Sequence, residues 1–537
     1  MRYLMIKGGH MNGIILLLMI FLLCGSGECT VFSVSPGQSL SAAIAQLKAG
    51  DTLNAQGGIY RVPSVPVTVM GQPDKWIVIR AVPGQIPVVR STNPNANLFA
   101  IRGAAYVVMD GFEVDSVPPD VMPIRFEKNF GNAHDMLFQN WHIHDVSSVA
   151  IDAKGDPYNI TFRHCHVHHT KDGTAEAFYI GDHTGIDHPH HWIIENCWIH
   201  HTGYLNSTQG DGIELKYGCY DMTVRNNVIY NTAYPSILYY GYNGDNSDGS
   251  KTCLIEGNVV WNSGEAIGAY ADAVVRNNIV ITSSMPVNSM LYTGHKAPEN
   301  VEIYNNTFYD FDNVNLKNWD STRHCIFANN AAYRTVSGAC LSLGGTGTFY
   351  NNVATAPAAG FSVGSIAGDL SDPAANNFYP KAGSLLVNSG AGPCVARYDF
   401  NGTGRDASPD IGAYEFTAGA NPGWTIQEGF KAGGPLDSAI TSLAVPAVLP
   451  GRFVLVFFPN PAEKAAKIFL KTGRQASSPV ELSIYDPLGR KLFCEKFSRF
   501  PSSFLLPESV APGRYLLGLR GFELSREMFE IRPLMVR

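Results

Sequence analysis

The chain has few charged residues and no excess of positive charge. Of its 537 residues only 16% are charged, and 39 basic residues against 46 acidic ones give a formal net charge of −7. Such a protein has no global attraction for polyanions. The sequence also contains no basic patch and no glycine-rich nucleotide loop. These absences argue against a protein that binds nucleic acids or nucleotides.

Several motifs of known chemistry are missing as well. No two aspartates are adjacent, and no segment matches HExxH or a complete EF-hand loop. Ten cysteines in 537 residues do not make a disulfide framework. Cys165 and Cys197 occupy the same position in adjacent repeats, so they are either stacked buried thiols or a disulfide between two coils.

The amino terminus lacks an apolar run long enough for a membrane span, which needs about 20 residues. Arg2 and Lys7 precede a short apolar run at residues 13–24, and small residues follow it at positions 25–27. This order is typical of a secretory signal peptide. We therefore expect residues 1–29 to be a signal peptide and the protein to be secreted or held at the cell surface.

What the chain does contain is a repeated phrase: one or two asparagines, a short β-rich apolar patch and a polar turn. The repeats begin 20 to 32 residues apart, with His164 and Gly257 filling two gaps in the series. The first asparagines of the copies are Asn140, Asn196, Asn226, Asn277, Asn305, Asn329 and Asn351. Such a period marks a repeat architecture, in which one copy forms one coil.

These repeats predict an all-β fold, a parallel β-helix in which stacked asparagines bond the turns above and below. Residues 31–61 predict an amphipathic helix and a strand that cap the open end of the coil. With its GDT…GxY order, this stretch resembles the entry to right-handed parallel β-helix proteins of the pectate-lyase-like superfamily. The resemblance covers residues 31–416 and implies that fold. The alternative is a β-sandwich whose Asn-Asn pairs mark hairpin turns.

The composition changes after the repeats. The motif DIGAYEF at residues 410–416 closes the β-helix domain (residues 30–416), and a segment rich in Gly, Pro, Ala and Ser predicts a linker at 417–450. In residues 451–537, alternating apolar strands and turns predict a small β-sandwich.

This last domain carries three motifs in order: FFPNPA at 457–462, LSIYDPLGRKL at 482–492 and APGRYLLGLRG at 511–521. In this order they resemble the C-terminal sorting domain of the type IX secretion system of Bacteroidetes. The resemblance implies transport across the outer membrane by that secretion machinery. Without this resemblance, the same strands and turns predict a β-sandwich that binds carbohydrate or mediates adhesion.

An alignment of the coils predicts one outer face rich in acids, lysines and tyrosines. Residues 149–155 match residues 210–218, which pairs Asp152 with Glu214 and Lys154 with Lys216. If the flanking apolar side chains point inward, these side chains point outward. The same face receives a tyrosine from each of four other coils: Tyr179, Tyr240, Tyr270 and Tyr292.

Such a face suits an acidic sugar chain. In β-elimination a base removes the proton α to a uronate carboxylate, whose charge a cation neutralises. Lys216 is the predicted base and Lys154 the second candidate, with Glu214 and Asp211 beside them. Because these acids favour the charged ammonium form, Lys216 is equally predicted as a clamp for a substrate carboxylate. A solvated exterior lysine is the remaining alternative.

Histidines are concentrated in one region, since 13 of the 16 lie between His134 and His201. Those in strands are expected to stack as ladders. The loop at residues 181–192 places Asp182 and His183 beside the tyrosine face, where they are expected to contact substrate. Histidines and carboxylates at this density either bind a transition metal, supply an acid–base pair or are solvated.

A second loop, at residues 241–250, offers oxygen ligands that suit calcium, chiefly Asp245 and Asp248. Asp, Asn and Gly are also the ordinary residues of turns. Calcium is therefore the one cofactor that the sequence suggests.

The favoured function is an exported, monomeric polysaccharide lyase that acts on a uronate-containing glycan. A glycoside hydrolase on the same fold is the first alternative, with Asp152, Asp182, Asp211 and Glu214 as a dispersed acidic site. A surface protein that binds glycans without cleaving them is the second, because a fold does not imply an activity.

Overall fold

The computed structural model describes residues 29–432 and seven strands of the C-terminal region. The predicted signal peptide, except Cys29, lies outside the described residues, and so do residues 433–450 of the predicted linker. None of the described helices has the length and apolarity that crossing a bilayer requires.

The first sheet has 13 strands, and every neighbouring pair is parallel. Successive strands come from successive coils, so the chain returns to this sheet once per repeat. The strands are Val31–Val34, Thr52–Ala55, Ile77–Ala81, Ala105–Asp110, His134–Gln139, Tyr158–Arg163, Ile193–Glu195, Thr223–Arg225, Cys253–Glu256, Ala273–Arg276, Val301–Tyr304, Cys325–Ala328 and Thr348–Tyr350.

Two further series of parallel strands form the second and third sheets. Two eleven-residue strands, Val259–Ala269 and Ile279–Ser289, belong to both sheets and join them. The other strands of the second sheet are Gly58–Val62, Pro87–Ser91, Glu113–Val114, His142–His144, His166–His168, Trp198–Thr202, Val228–Thr232, Thr307–Phe311, Ala331–Tyr333, Asn352–Ala354 and Phe361–Val363. Those of the third sheet are Val65–Val67, Phe99–Ile101, Ile124–Phe126, Ile151–Ala153, Phe178–Ile180, Ile213–Leu215, Ile237–Tyr239, Val314–Trp319 and Leu341–Gly345. The predicted parallel β-helix is confirmed.

A short helix, Leu40–Ala45, covers the first coil. The hydroxyl of Ser39 accepts a hydrogen bond from the amide of Ala42 at 3.1 Å and caps the amino end of the helix. Leu40 and Ile44 are fully buried in the same apolar core as the first strands. The helix therefore closes this end of the coil, as predicted.

The second asparagine of each repeat, not the first, forms the buried ladder. In the first five rungs the side-chain amide donates to the next asparagine's carbonyl oxygen at 3.0–3.1 Å, and in all six it donates to a backbone carbonyl at 2.9 Å. The rungs are Asn227, Asn258, Asn278, Asn306, Asn330 and Asn352, none more than 1% exposed. Cys165 and Cys197 hold the equivalent positions in two earlier coils and are free buried thiols.

Removing one rung should destabilise the coil. Asn278→Ala removes the acceptor of the backbone N–H and of one side-chain N–H of Asn258 in the core, and each unsatisfied group costs about 1–3 kcal/mol. We expect a loss of about 3 kcal/mol, measured as a lower midpoint of chemical denaturation. Asn95→Ala, at an exposed position, is the control. Equal midpoints for the two variants would contradict a stabilising ladder.

The first asparagine of each repeat has a different role, which the sequence analysis does not separate from the ladder. All seven, together with His164 and Gly257, have φ between 50° and 67° and turn the chain out of the first sheet. In later coils their amides also hold the chain that follows the β-helix. Asn277, Asn305 and Asn329 donate to the carbonyl groups of residues 398, 410 and 394 at 2.6–3.1 Å.

Residues 364–432 therefore run along the outside of the coils. They contain the short helix Ile366–Asp369 and an antiparallel pair, Leu370–Asp372 with Asn377–Pro380. Single 3₁₀ turns are present at Lys128–Phe130, Ser321–Arg323 and Pro373–Ala375. The described part of the expected linker, residues 417–432, is packed rather than extended, since Trp424 and Ile426 are buried and Lys431 donates to Asn226 and two backbone carbonyls at 2.8–2.9 Å.

The C-terminal region contributes two antiparallel sheets to the description. One joins Val456–Phe458, Lys467–Lys471 and Ser503–Leu505; the other joins Lys491–Phe497, Val480–Tyr485, Gly513–Glu523 and Arg526–Val536. Antiparallel strands agree with the predicted β-sandwich. The PNPA and DPLGR motifs lie outside the described residues, so the sorting domain stays a prediction.

Candidate functional site

The predicted face lies on the outside of the third sheet. Arg125, Asp152, Tyr179 and Glu214 are successive register partners on four adjacent coils. Parallel strands stand about 4.8 Å apart, so side chains at equivalent positions stack in a row. The coil alignment made from the sequence is therefore correct for Asp152, Tyr179 and Glu214.

Two lysines flank the ring of Tyr179. The Lys154 ammonium lies 3.7 Å from the ring centroid and the Lys216 ammonium 4.5 Å from it. Lys154 also donates to the carbonyl of Gly181 at 2.6 Å and lies 3.2 Å from the Asp152 carboxylate. Lys216 forms an ion pair with Glu214. The two cations are thus held side by side, by an aromatic ring and one carboxylate each.

Lys154 has an unusual protonation equilibrium. Burial lowers its pKa to about 7, and the nearby positive charge of Arg125 acts in the same direction. Asp182 and Asp187 oppose this effect without cancelling it. A lysine whose pKa is lowered towards neutrality can act as a base.

A side chain at Gly181 would crowd two neighbours. Its φ is 95°, and a Cβ atom there would lie 3.0 Å from Sγ of Cys219 and 3.1 Å from the Cβ of Lys216. A side chain at this position would therefore displace Cys219 or Lys216. The positive φ also favours glycine here.

Three buried carboxylates meet beside Lys216. Glu176, Asp211 and Glu214 are at most 2% exposed, and one oxygen of each lies within 4.8 Å of the others. Neither oxygen of Glu176 has a hydrogen-bond partner at normal geometry, and one oxygen each of Asp211 and Glu214 is also unpaired. Burial, together with the neighbouring acids, raises the pKa of Glu176 to about 7 and that of Asp211 well above its usual range.

Such a cluster fits a hard divalent cation. Burying unpaired carboxylate oxygens costs free energy, and a bound cation removes both the repulsion and the unsatisfied acceptors. Carboxylate oxygens are the ligands that calcium prefers. The donor set of Glu176, Asp211 and Glu214 can therefore hold calcium next to Lys216.

Three of the predicted tyrosines form a wall on the other side of Lys216. The rings of Tyr240, Tyr270 and Tyr292 have centroids 5.1–6.0 Å apart, and His295 lies 5.0 Å from Tyr292. The Tyr240 hydroxyl donates to Glu214 at 3.3 Å. Tyr292 is 41% exposed and offers its ring to a ligand. This wall adjoins the lysines and the carboxylates through Tyr240.

Of the remaining predicted residues, Asp152 belongs to the lysine group, and Asp182 and His183 lie in the loop that follows Gly181. Asp152 is buried in ion pairs with Arg125 and Lys154. Asp182 accepts hydrogen bonds from Thr184, and His183 beside it is exposed to solvent.

The loop predicted to bind calcium is built differently from the carboxylate cluster. Asp245 and Asp248 are exposed, and each accepts hydrogen bonds from the serine two residues further on. These bonds are those of ordinary turns. In the part of the chain that the structure describes, the group of three carboxylates suited to a metal is Glu176, Asp211 and Glu214.

Sequence reasoning missed four residues of this region: Arg125, Glu176, Glu265 and His295. Arg125 was within reach, because it is the register partner of Asp152 one coil earlier. Glu176 was also within reach, because it precedes its strand by two residues just as Asp211 does one coil later. Glu265 was missed because it lies in the middle of a long strand that the alignment did not predict. Burial raises the pKa of its carboxyl group to about 7.

No family model matches the chain, and no curated protein matches it either. Solved structures of polysaccharide lyases are similar in fold. The PL6 family alginate lyase AlyGC is 16% identical with a TM-score of 0.44, and the match covers 66% of this chain and 56% of AlyGC. Pectate lyase Pel9A is 14% identical with a TM-score of 0.44, over 73% of this chain and 98% of Pel9A.

A mannuronic acid specific polysaccharide family 6 lyase from human gut microbiota is 15% identical with a TM-score of 0.42, over 62% of this chain and 90% of that one. At identities of 14–16% these likenesses concern the fold alone. The function has to be argued from the residues on the face.

Proposed function

We propose that the protein is a polysaccharide lyase that cleaves a uronate-containing glycan by β-elimination. The observation that carries the proposal is a lysine of lowered pKa, Lys154, held beside a second lysine and three buried carboxylates on one outer face. The reaction needs a base for the proton α to the uronate carboxylate and positive charge for the carboxylate itself. Both requirements are met within this group.

Lys154 is the base in this proposal, which reverses the order expected from the sequence. Its pKa of about 7 supplies neutral amine at neutral pH. Lys216 is paired with Glu214 and lies between the rings of Tyr179 and Tyr240, so it serves as the cation that binds the substrate carboxylate. Tyr292, the exposed ring of the three, is then the stacking surface for a sugar ring, with the buried rings of Tyr240 and Tyr270 packed behind it.

Calcium held by Glu176, Asp211 and Glu214 would supply further positive charge for the uronate carboxylate. The raised pKa values of Glu176 and Asp211 favour their protonated forms when no cation is bound, so calcium binding would release protons from this group. We choose these three carboxylates as the calcium ligands because their oxygens fit a cation better than the exposed turn at Asp245 and Asp248 does.

The test is an incubation of the purified chain with alginate, pectate and glycosaminoglycans in calcium-containing buffer. A lyase produces an unsaturated uronate, which absorbs in the ultraviolet, so absorbance should rise with one of these glycans. New reducing ends without this absorbance would replace the lyase with a hydrolase. Binding without any cleavage would replace it with a glycan-binding surface protein.

We also propose that the protein is exported through the type IX machinery, on the strength of the three C-terminal motifs. Deleting residues 451–537 should leave the protein in the periplasm of a host that has this machinery, because the recognised domain is gone. Immunoblots of periplasm, cell surface and medium measure the change. Unaltered export of the shortened chain would rule out this route.

A further inference from the structure

The predicted histidine ladders exist, and they lie on the outer face of the second sheet, away from the lysines. Imidazoles from three adjacent coils stack with ring centroids 4.7–5.1 Å apart and planes within 11° of parallel. One column contains His142 and His166; the other contains His144, His168 and His200. Trp198 and Tyr230 continue the two columns.

The two columns also contact each other through ring nitrogens. Nε2 of His142 lies 2.9 Å from Nε2 of His168, and Nε2 of His166 lies 2.9 Å from Nε2 of His200. Two nitrogens that bind one tetrahedral zinc ion lie about 3.3 Å apart, since Zn–N bonds are about 2.0–2.1 Å long. A small rotation of each ring therefore suffices to direct both nitrogens at one ion.

Two overlapping groups of three histidines have ligand atoms within 4.8 Å of one another. They are His142, His144 and His168, and His166, His168 and His200. Because His168 belongs to both, one chain can complete only one three-histidine site at a time. Neighbouring charge distinguishes the two groups.

Acidic side chains surround the first group. The carboxylate of Glu113 lies 3.5 Å from Nδ1 of His142 and 3.7 Å from Nε2 of His144. Asp145 lies 2.7 Å from Nδ1 of His144, the outer-sphere carboxylate that a metal-binding histidine usually has. In the second group, Nδ1 of His200 lies 2.8 Å from Nδ1 of His201, so its neighbour is an imidazole where His144 has a carboxylate.

We propose that His142, His144 and His168 bind one divalent transition-metal ion, with zinc as the best fit, and that Glu113 supports the site through its contact with Nδ1 of His142. Three imidazoles match the ligand types of zinc, whereas calcium prefers an all-oxygen set. The three ligands come from two successive coils, at His142–His144 and His166–His168. A bound ion therefore links two coils on a face that the proposed lyase site does not use.

The test is a zinc titration by calorimetry, with the full chain purified without a polyhistidine tag. We expect one ion per chain and a rise in melting temperature upon binding. His144→Ala and His168→Ala should each weaken zinc binding by at least about 100-fold, and Asp145→Asn by about 10–100-fold. The controls are His200→Gln, which removes a ligand of the second group only, and His183→Ala at an exposed loop position.

Equal zinc affinity in the original chain, His144→Ala and His168→Ala would overturn the site. Loss of binding in His200→Gln but not in His144→Ala would overturn the choice of ligands. Glu113→Gln offers a milder change if a histidine variant unfolds, and it should also weaken binding. Glycan cleavage is expected to be the same with and without zinc, so this outcome is independent of the lyase proposal.

Discussion

Replacing Lys154 with alanine is expected to lower kcat/KM for the cleaved glycan about 10²–10⁴-fold, the usual contribution of a general base. The amine lost is the one whose pKa burial lowers to about 7. Lys154→Arg should be equally inactive, because a guanidinium stays protonated and cannot accept a proton. Initial rates of unsaturated product formation measure both effects.

The matched control is Lys75→Ala, which removes an exposed lysine from an early coil. It should leave the rates unchanged. Lys216→Ala should also reduce activity, but mainly through a higher KM, because its proposed role is to bind the substrate carboxylate. If Lys154→Ala keeps full activity while Lys216→Ala keeps none, the two roles have to be exchanged.

The pH profile follows from the same group. Only the neutral amine accepts a proton, and lowering the pH below about 7 converts Lys154 to the ammonium form. We therefore expect kcat/KM to rise as the pH increases through 7 and then to level off. A profile that is flat between pH 6 and about 8 would argue that another group is the base.

The repeat period was enough to predict the fold. Stacking requires each coil to present the same kind of residue at the same place, so the asparagine pairs in the sequence report the coil directly. What the period could not resolve was which asparagine of the pair turns inward. Asn278 is buried in the ladder, while Asn277 takes a left-handed turn and binds the returning chain at Tyr398.

The positions of the site residues were predictable from the register of the coils, and their burial was not. Asp152, Tyr179 and Glu214 follow the register of the third sheet, and the alignment found them. Glu176 is equivalent to Asp211 one coil earlier, but the burial of both carboxylates does not follow from their residue type. The lowered pKa of Lys154 is likewise a property of burial and of Arg125, not of the residue type.

The buried acids give the second large prediction. Glu176→Gln should lower calcium affinity at least about 10-fold, because one of three charged ligands becomes neutral. Removing calcium with a chelator should abolish glycan cleavage and lower the melting temperature of the original chain. At a calcium concentration about 100 times the Kd, the loss of binding corresponds to about 2.7 kcal/mol of stability. Calorimetric titration and thermal unfolding with and without chelator measure these changes.

Asp245→Asn and Asp248→Asn are the matched controls, because each also neutralises one carboxylate in a region predicted to bind calcium. Their side chains already accept hydrogen bonds from Ser247 and Ser250 at the surface, whereas the oxygens of Glu176 are buried and unpaired. Desolvated, unpaired acceptors gain the most from a cation. Calcium affinity should therefore respond to Glu176→Gln and not to the two loop variants; the opposite response would move the calcium site to the loop and leave the three buried carboxylates without a cation.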